Sequence, residues 1–171
     1  MMKNIVILVI AALFCGAAVH ARDKVDKGDI APNFTLNDPA GATFELNKFR
    51  GKRGIVLIFS YSECPKCLTE IPEISALADI ARRNKVIVAM VNSVDNSNAA
   101  VNMMNRYNIN YHTLLDLRQI VQTNYGITHT PTLIAIDGTG RVVYRNMAGI
   151  GTSALGIPAS TLIKMLQNGI R

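Results

Sequence analysis

The chain has little cysteine, no hydrophobic run long enough to cross a bilayer, and only one aromatic residue, Phe49, within its basic clusters. Each shortage closes a class of function. Three cysteines occur in 171 residues, and two of them, Cys64 and Cys67, stand three apart. Secreted domains stapled by disulfides carry several pairs at long spacings. A loop as small as Cys64–Cys67 constrains the unfolded chain little, so the spacing points to a working pair, with a structural disulfide as the alternative. The longest apolar stretch, Ile5 to Val19, counts 15 residues, short of the ~20 that span a bilayer. Basic residues exceed acidic ones, 18 to 12, for a net charge of +6. They cluster only at Lys48, Arg50, Lys52 and Arg53 and at Arg82, Arg83 and Lys85. A single Phe49 is not the aromatic interleaving expected of a nucleic-acid surface. The clusters read as solvated charge, with attraction to an anionic membrane or an acidic partner as the lesser option. No repeat or low-complexity tract is present.

What the sequence does hold begins with an export signal. Lys3 supplies a positive start, Ile5 to Phe14 an apolar run, and Val19-His20-Ala21 a small-residue cleavage site. The expected division is a signal peptide over residues 1–21 and one domain over 22–171, with an uncleaved membrane tether as the alternative. Cys15 invites a lipoprotein reading, but bulky Phe14 stands where a lipidation site needs a small residue. An apolar content of 49% is ample for one buried core.

Along the domain, Asn33 to Leu36 and Thr43 to Leu46 alternate polar and apolar residues around the turn Asp38-Pro39-Ala40-Gly41, which predicts a hairpin. Ile55–Phe59 and Val86–Val91 are continuous apolar runs, the pattern of strands buried on both faces, and Thr132–Ile136 reads as a third core strand. Asn92 to Asn98 reads as a loop. Leu68, Ile71, Ile74, Leu77, Ala78 and Ala81 recur at helical spacing, with a kink expected at Pro72. Asn98 to Tyr107 predicts a helix with Val101 and Met104 inward, Gln119 to Tyr125 a short one, and Pro158 or Ser160 opens a last helix. Asp137-Gly138-Thr139-Gly140 is a hairpin turn. Strands alternating with helices imply an α/β fold on a mixed sheet.

The stretch Cys64-Pro65-Lys66-Cys67 sits where a buried strand hands over to a helix. Helix geometry puts residues i and i+3 on one face, so the two sulfurs can bond to each other. Unpaired N–H groups and the positive helix end favour a thiolate at Cys64. That arrangement suits thiol–disulfide exchange: Cys64 attacks, a mixed disulfide forms and Cys67 resolves it.

Several features in order carry a family resemblance. They are the Gly28-to-Leu36 entry with Ala31-Pro32, the strand Ile55–Phe59, the CPKC motif, Glu70-Ile71-Pro72, Tyr125-Gly126-Ile127, Thr130-Pro131-Thr132 and Ile136-Asp137-Gly138. Over residues 28–168 the chain resembles the thioredoxin superfamily, and within it the TlpA/ResA/CcmG-like branch. The resemblance implies a thioredoxin-like α/β fold: a central mixed sheet flanked by helices, an N-terminal β-hairpin and an inserted βα-type segment. It implies a cis bond at Pro131 that turns the Thr130 backbone toward the sulfurs as an edge for a substrate strand. It also implies that Glu70, on the helical face of Cys67, modulates the proton chemistry of the dithiol. Buried on an apolar face, such a carboxyl would hold or relay a proton, and the alternative is a solvent-facing charge. Pro65, Lys66, Thr130 and Pro131 are the expected substrate contacts.

The likeness further implies an extracytoplasmic or periplasmic enzyme without cofactor or metal. Its partners would be protein dithiols or disulfides and a membrane-bound electron donor, in the manner of cytochrome c biogenesis. Two departures stand out. Lys66 holds the place where the family usually has proline, and Glu63 the place of a common aromatic. Lys66 favours a thiolate at Cys64 and Glu63 opposes it, leaving the potential open between about −270 and −120 mV. Two rival activities make other demands on the chain. A peroxiredoxin-like peroxidase would need Pro and Thr/Ser upstream of its cysteine, where Leu57 and Tyr61 stand instead. A copper(I) module would need His112 or His129 beside the two sulfurs.

Overall fold

The computed structural model describes residues 24–93, 96–149 and 152–170. The expected signal segment, with Cys15, lies outside them.

The hairpin forms as two three-residue strands, β1 (Thr35–Asn37) and β2 (Thr43–Glu45), paired antiparallel as a sheet of their own. A 3-10 turn at Leu46–Phe49 leads into β3 (Gly54–Tyr61), followed by helix α1 (Pro65–Arg82) and β4 (Val86–Ser93). Then come α2 (Ser97–Tyr107), β5 (His112–Leu115) and α3 (Ile120–Asn124). The chain closes with β6 (Thr132–Ile136), β7 (Val142–Met147) and α4 (Ala159–Leu166). The main sheet has the order β5-β4-β3-β6-β7. Strands β3, β4 and β5 are parallel, while β6 runs against β3 and β7 against β6. One end of the sheet therefore gathers the segments that leave β3, β4, β5 and β7 and the segment that enters β6. This is the expected thioredoxin-like architecture, and the added segment takes the form of a helix and then a strand, α2 and β5.

Strand β3 shows why the apolar runs are continuous. Side chains alternate between the two faces of a strand. Ile55, Leu57 and Phe59 enter one core layer with Phe34, Phe44 and Tyr125. Val56 and Ile58 enter the other, with Ile71, Ile74 and Leu77 of α1 and Leu162 and Leu166 of α4. A strand covered on both faces has no position at which a polar residue meets water.

Helix α1 runs through Pro72 without a break, as expected. Two local expectations change. Helix α2 buries Ala100 and Met103, with Val101 and Met104 half-buried. The run Ala-Val-Asn-Met-Met offers two stripes one residue apart, and packing on β5 chooses the first. Strand β4 extends past its apolar run to take in Asn92 and Ser93, both buried. Their polarity reads as loop in sequence, but distant partners engage them: the Asn92 amide donates to Ser62 Oγ at 2.8 Å, and Ser93 Oγ bonds Gln122.

The β6–β7 turn is built on Asp137, which is buried. Its Oδ1 accepts from Thr139 N (2.9 Å), Thr139 Oγ1 (2.5 Å) and Arg141 N (3.1 Å), and its Oδ2 from Asn168 Nδ2 (2.9 Å). Burial raises the carboxyl's pKa, but these donors outweigh it and hold the group below the usual carboxylate range. A carboxyl depressed on folding adds stability above its unfolded pKa and loses that stability as pH falls through the folded value. Asp137→Asn is accordingly expected to cost about 1–3 kcal/mol at pH 7 and to flatten the fall in Tm below about pH 4. Thermal unfolding from pH 7 to 2 reads this, and parallel Tm curves for variant and wild type would contradict it.

Candidate active site

Strand β3 ends at Tyr61, and the chain turns at once into α1, with the Cys64 N–H bonded to the Tyr61 carbonyl at 3.0 Å. Cys64 is the helix N-cap. Its backbone is extended, and its Sγ accepts the Cys67 N–H at 3.1 Å, a donor that has no partner within the helix. Pro65 occupies the first helical position, where a missing N–H is no loss. The two cysteines are disulfide-bonded, with Cα atoms 5.2 Å apart. Cys64 is half-buried, while Cys67 is only 2% exposed, so one sulfur faces an incoming group and the other lies beneath it.

The second wall comes from 66 residues along the chain. The Thr130–Pro131 bond is cis, and the Thr130 carbonyl oxygen lies 3.7 Å from Cys64 Sγ. This loop is anchored on both sides: Thr132 Oγ1 donates to the His129 carbonyl at 2.7 Å, and the Ala148 N–H donates to the Pro131 carbonyl at 3.1 Å. Cys64, Cys67, Thr130 and Pro131 are therefore brought together. Pro65 is exposed beside them.

Glu70 and Lys66 form the lower part of the site. Glu70 lies one helical turn beyond Cys67 and is buried, with 6% exposure. Its Oε1 is bonded by Lys66 Nζ, and its Oε2 accepts the Ala154 N–H at 2.7 Å. Burial pushes its pKa up, but the Lys66 ammonium and the Ala154 N–H outweigh burial and keep the carboxyl below the ordinary carboxylate range. The proton-holding carboxyl expected on this face is therefore replaced by an ionised one, because the lysine turns onto it and a distant backbone donor meets it. Lys66, expected to meet substrate, is only partly exposed and directs its ammonium at Glu70. One turn further on, Glu73 Oε2 accepts from Ser153 Oγ at 2.5 Å, so two carboxylates of α1 hold the loop before α4.

Sequence reading missed the support beneath the turn. Asn92, fully buried in β4, holds Ser62 two residues before Cys64. The only sign in the sequence was a polar residue closing an apolar run. His129 is exposed and pairs with Thr128 (3.0 Å between Oγ1 and Nδ1), while His112 lies at the far end of the sheet against Phe44, with ring centroids 5.7 Å apart. Among the described residues, no group of three or more His, Cys, Asp or Glu could hold a metal. A cavity of about 730 Å³ also opens at the far end, between Arg53, Arg82 and His112, and takes no part in this site. At the sulfur end three large apolar side chains are exposed: Leu117, Ile120 and Met147, at 53%, 53% and 46%.

The model of the Redoxin family matches residues 26–154. Thiol-disulfide oxidoreductase ResA of Bacillus subtilis is 30% identical over 143 residues, covering 82% of this chain and 79% of that protein. In fold, the thioredoxin domain of a thiol-disulfide oxidoreductase from Bacteroides vulgatus superposes with a TM-score of 0.70 at 20% identity, covering 84% of this chain and all of that one. A secreted Mycobacterium tuberculosis disulfide oxidoreductase homologous to Escherichia coli DsbE gives 0.64 at 22%, covering 78% and 93%.

Proposed function

The chain belongs to the Redoxin family of the thioredoxin superfamily and is a ResA-like thiol–disulfide oxidoreductase, and from that premise we propose that it is exported and reduces disulfides in extracytoplasmic proteins. The observation that carries the site assignment is the asymmetric sulfur pair: Cys64 half-exposed beside the Thr130 carbonyl, Cys67 buried behind it.

In the reduced enzyme the Cys64 thiolate attacks one sulfur of a substrate disulfide. That bond breaks, the first substrate thiolate leaves, and a mixed disulfide forms. The Cys67 thiolate then attacks the Cys64 sulfur, forming the Cys64–Cys67 bond and releasing the second substrate thiolate. Two electrons pass from enzyme to substrate, and the two leaving thiolates take up the protons. The Cys67 N–H that reaches Cys64 Sγ at 3.1 Å would stabilise the attacking thiolate. Thr130 and Pro131 offer backbone to an extended substrate segment. The exposed Leu117, Ile120 and Met147 at the same end favour a protein over a small thiol as substrate.

Export is supported by Lys3, the apolar run Ile5–Phe14 and the cleavage-like Val19-His20-Ala21. The family likeness supports a membrane-bound electron donor and apocytochrome c as one exported substrate. Equilibration of the purified protein with glutathione redox buffers tests the direction of electron flow. The expected midpoint lies nearer thioredoxin's, about −270 mV, than DsbA's, about −120 mV. A value near −120 mV would make the protein a disulfide donor and overturn the reductase reading.

A further inference from the structure

Lys66 lies between the two cysteines in sequence, yet its charge is spent one turn down the helix. Its ammonium bonds Glu70 Oε1, and the lysine is about a third exposed while the glutamate is nearly closed off, with side-chain exposures of 34% and 7%. The other oxygen of Glu70 is taken by the Ala154 N–H at 2.7 Å. The remaining charged or titratable groups around this carboxylate are few. On its own helix they are Glu73, bonded to Ser153 Oγ, and the Cys64–Cys67 pair. The loop 152–157 supplies only the Ser153 hydroxyl and the Ala154 N–H, for Thr152, Ser153, Ala154, Leu155, Gly156 and Ile157 carry no charge. Helix α4 carries only the exposed Lys164, and from β7 Tyr144 donates to the Leu155 carbonyl at 2.9 Å.

We propose that Lys66 is a positioning residue that neutralises the buried Glu70, so that the redox pair meets a balanced ion pair and neither charge alone. This rests on the oxidoreductase reading of the site. A lone carboxylate one turn below Cys67 would oppose a thiolate above it, and a lone ammonium within the motif would favour one. Paired, they cancel at the sulfurs. The lysine at the family's usual proline place and the glutamate three residues past Cys67 therefore act as one unit, and the loop at Ala154 holds the carboxylate in reach.

The test is the pH profile of Cys64 alkylation by iodoacetamide in the reduced full chain, for wild type, Lys66→Met, Glu70→Gln and Lys66→Met/Glu70→Gln. Lys66→Met is expected to raise the thiol's apparent pKa and slow alkylation at pH 6 by about 3- to 10-fold. Glu70→Gln shifts the profile the other way, and the double variant returns to the wild-type midpoint. Lys66→Arg keeps the wild-type profile. Single variants that shift in the same direction, or a double variant displaced as far as either single one, would overturn the proposal. Should Lys66→Met not fold, Glu70→Gln decides alone: an unchanged or raised midpoint refutes the pairing. Exchange with dithiothreitol is measured alongside, because its absence in the wild type strikes the oxidoreductase reading, whereas its presence with coincident profiles strikes only this inference.

Discussion

Cys64→Ser is expected to reduce disulfide exchange to below about one-thousandth of the wild-type rate, because the hydroxyl cannot replace the thiolate as nucleophile at neutral pH. Cys67→Ser fails differently. Cys64 still attacks, but no buried sulfur remains to displace the substrate, so covalent enzyme–substrate adducts accumulate. The division follows from position: Cys64 is half-buried at the helix mouth and receives the Cys67 N–H at 3.1 Å, whereas Cys67 is 2% exposed. Turnover of a disulfide substrate with single variants, followed by non-reducing electrophoresis and intact mass, measures both outcomes. Full turnover by Cys67→Ser, or adducts formed by Cys64→Ser, would reverse the assigned roles.

The second large effect lies away from the sulfurs. Arg145 reaches from β7 to three carbonyls, with Nη1 donating to Val25 (2.7 Å) and Tyr125 (3.0 Å) and Nη2 to Gly126 (3.0 Å). Burial lowers its pKa from the usual arginine value, with the Asp26 charge pulling the other way. The fork ties the N-terminal segment to the stretch that leads into Thr130 and Pro131. Gly126 has φ +59, and a Cβ there would stand 2.7 Å from the Lys24 Cα, so the two segments touch backbone to backbone. Arg145→Met leaves three carbonyls short of a donor and is expected to cost about 3 kcal/mol, lowering Tm by roughly 6–12 °C. Amide exchange over residues 125–131 should quicken more than in β3 or β4. Arg145→Lys restores only part of the loss, since one ammonium does not reproduce the planar fork. Uniform quickening across the sheet would argue that Arg145 serves global stability and not this loop in particular.

Much of the molecule was legible along the chain. Apolar runs marked β3, β4 and β6, because a strand covered on both faces leaves no side chain facing water. Asp137-Gly138-Thr139-Gly140 marked the hairpin, and the helical stripe from Ile71 to Ala81 marked α1. Cys64 and Cys67 stood out because strand, turn and helix are neighbours in sequence as well as in space. Polar residues inside elements were harder to place. Asn92 and Ser93 looked like loop and are buried strand, bonded to Ser62 and Gln122 from about thirty residues away. Nothing near Arg145 announces that its partners are Val25, Tyr125 and Gly126.

Glu70 shows where the boundary falls. Periodicity put it on the buried face with Cys67, and isolated burial argues for a protonated carboxyl. Its charge state instead depends on the Ala154 N–H, 84 residues distant, and on which way Lys66 turns. The meeting of Thr130 with Cys64, 66 residues apart, was likewise settled by how β6 pairs with β3. What the amino-acid order determined unaided was the series of elements and the place of the two sulfurs at a helix start, since these follow from repeat length and backbone preference within one segment. What only the folded chain decided was which buried groups carry charge and what faces the reactive sulfur, because desolvation and its compensation depend on atoms that distant segments supply.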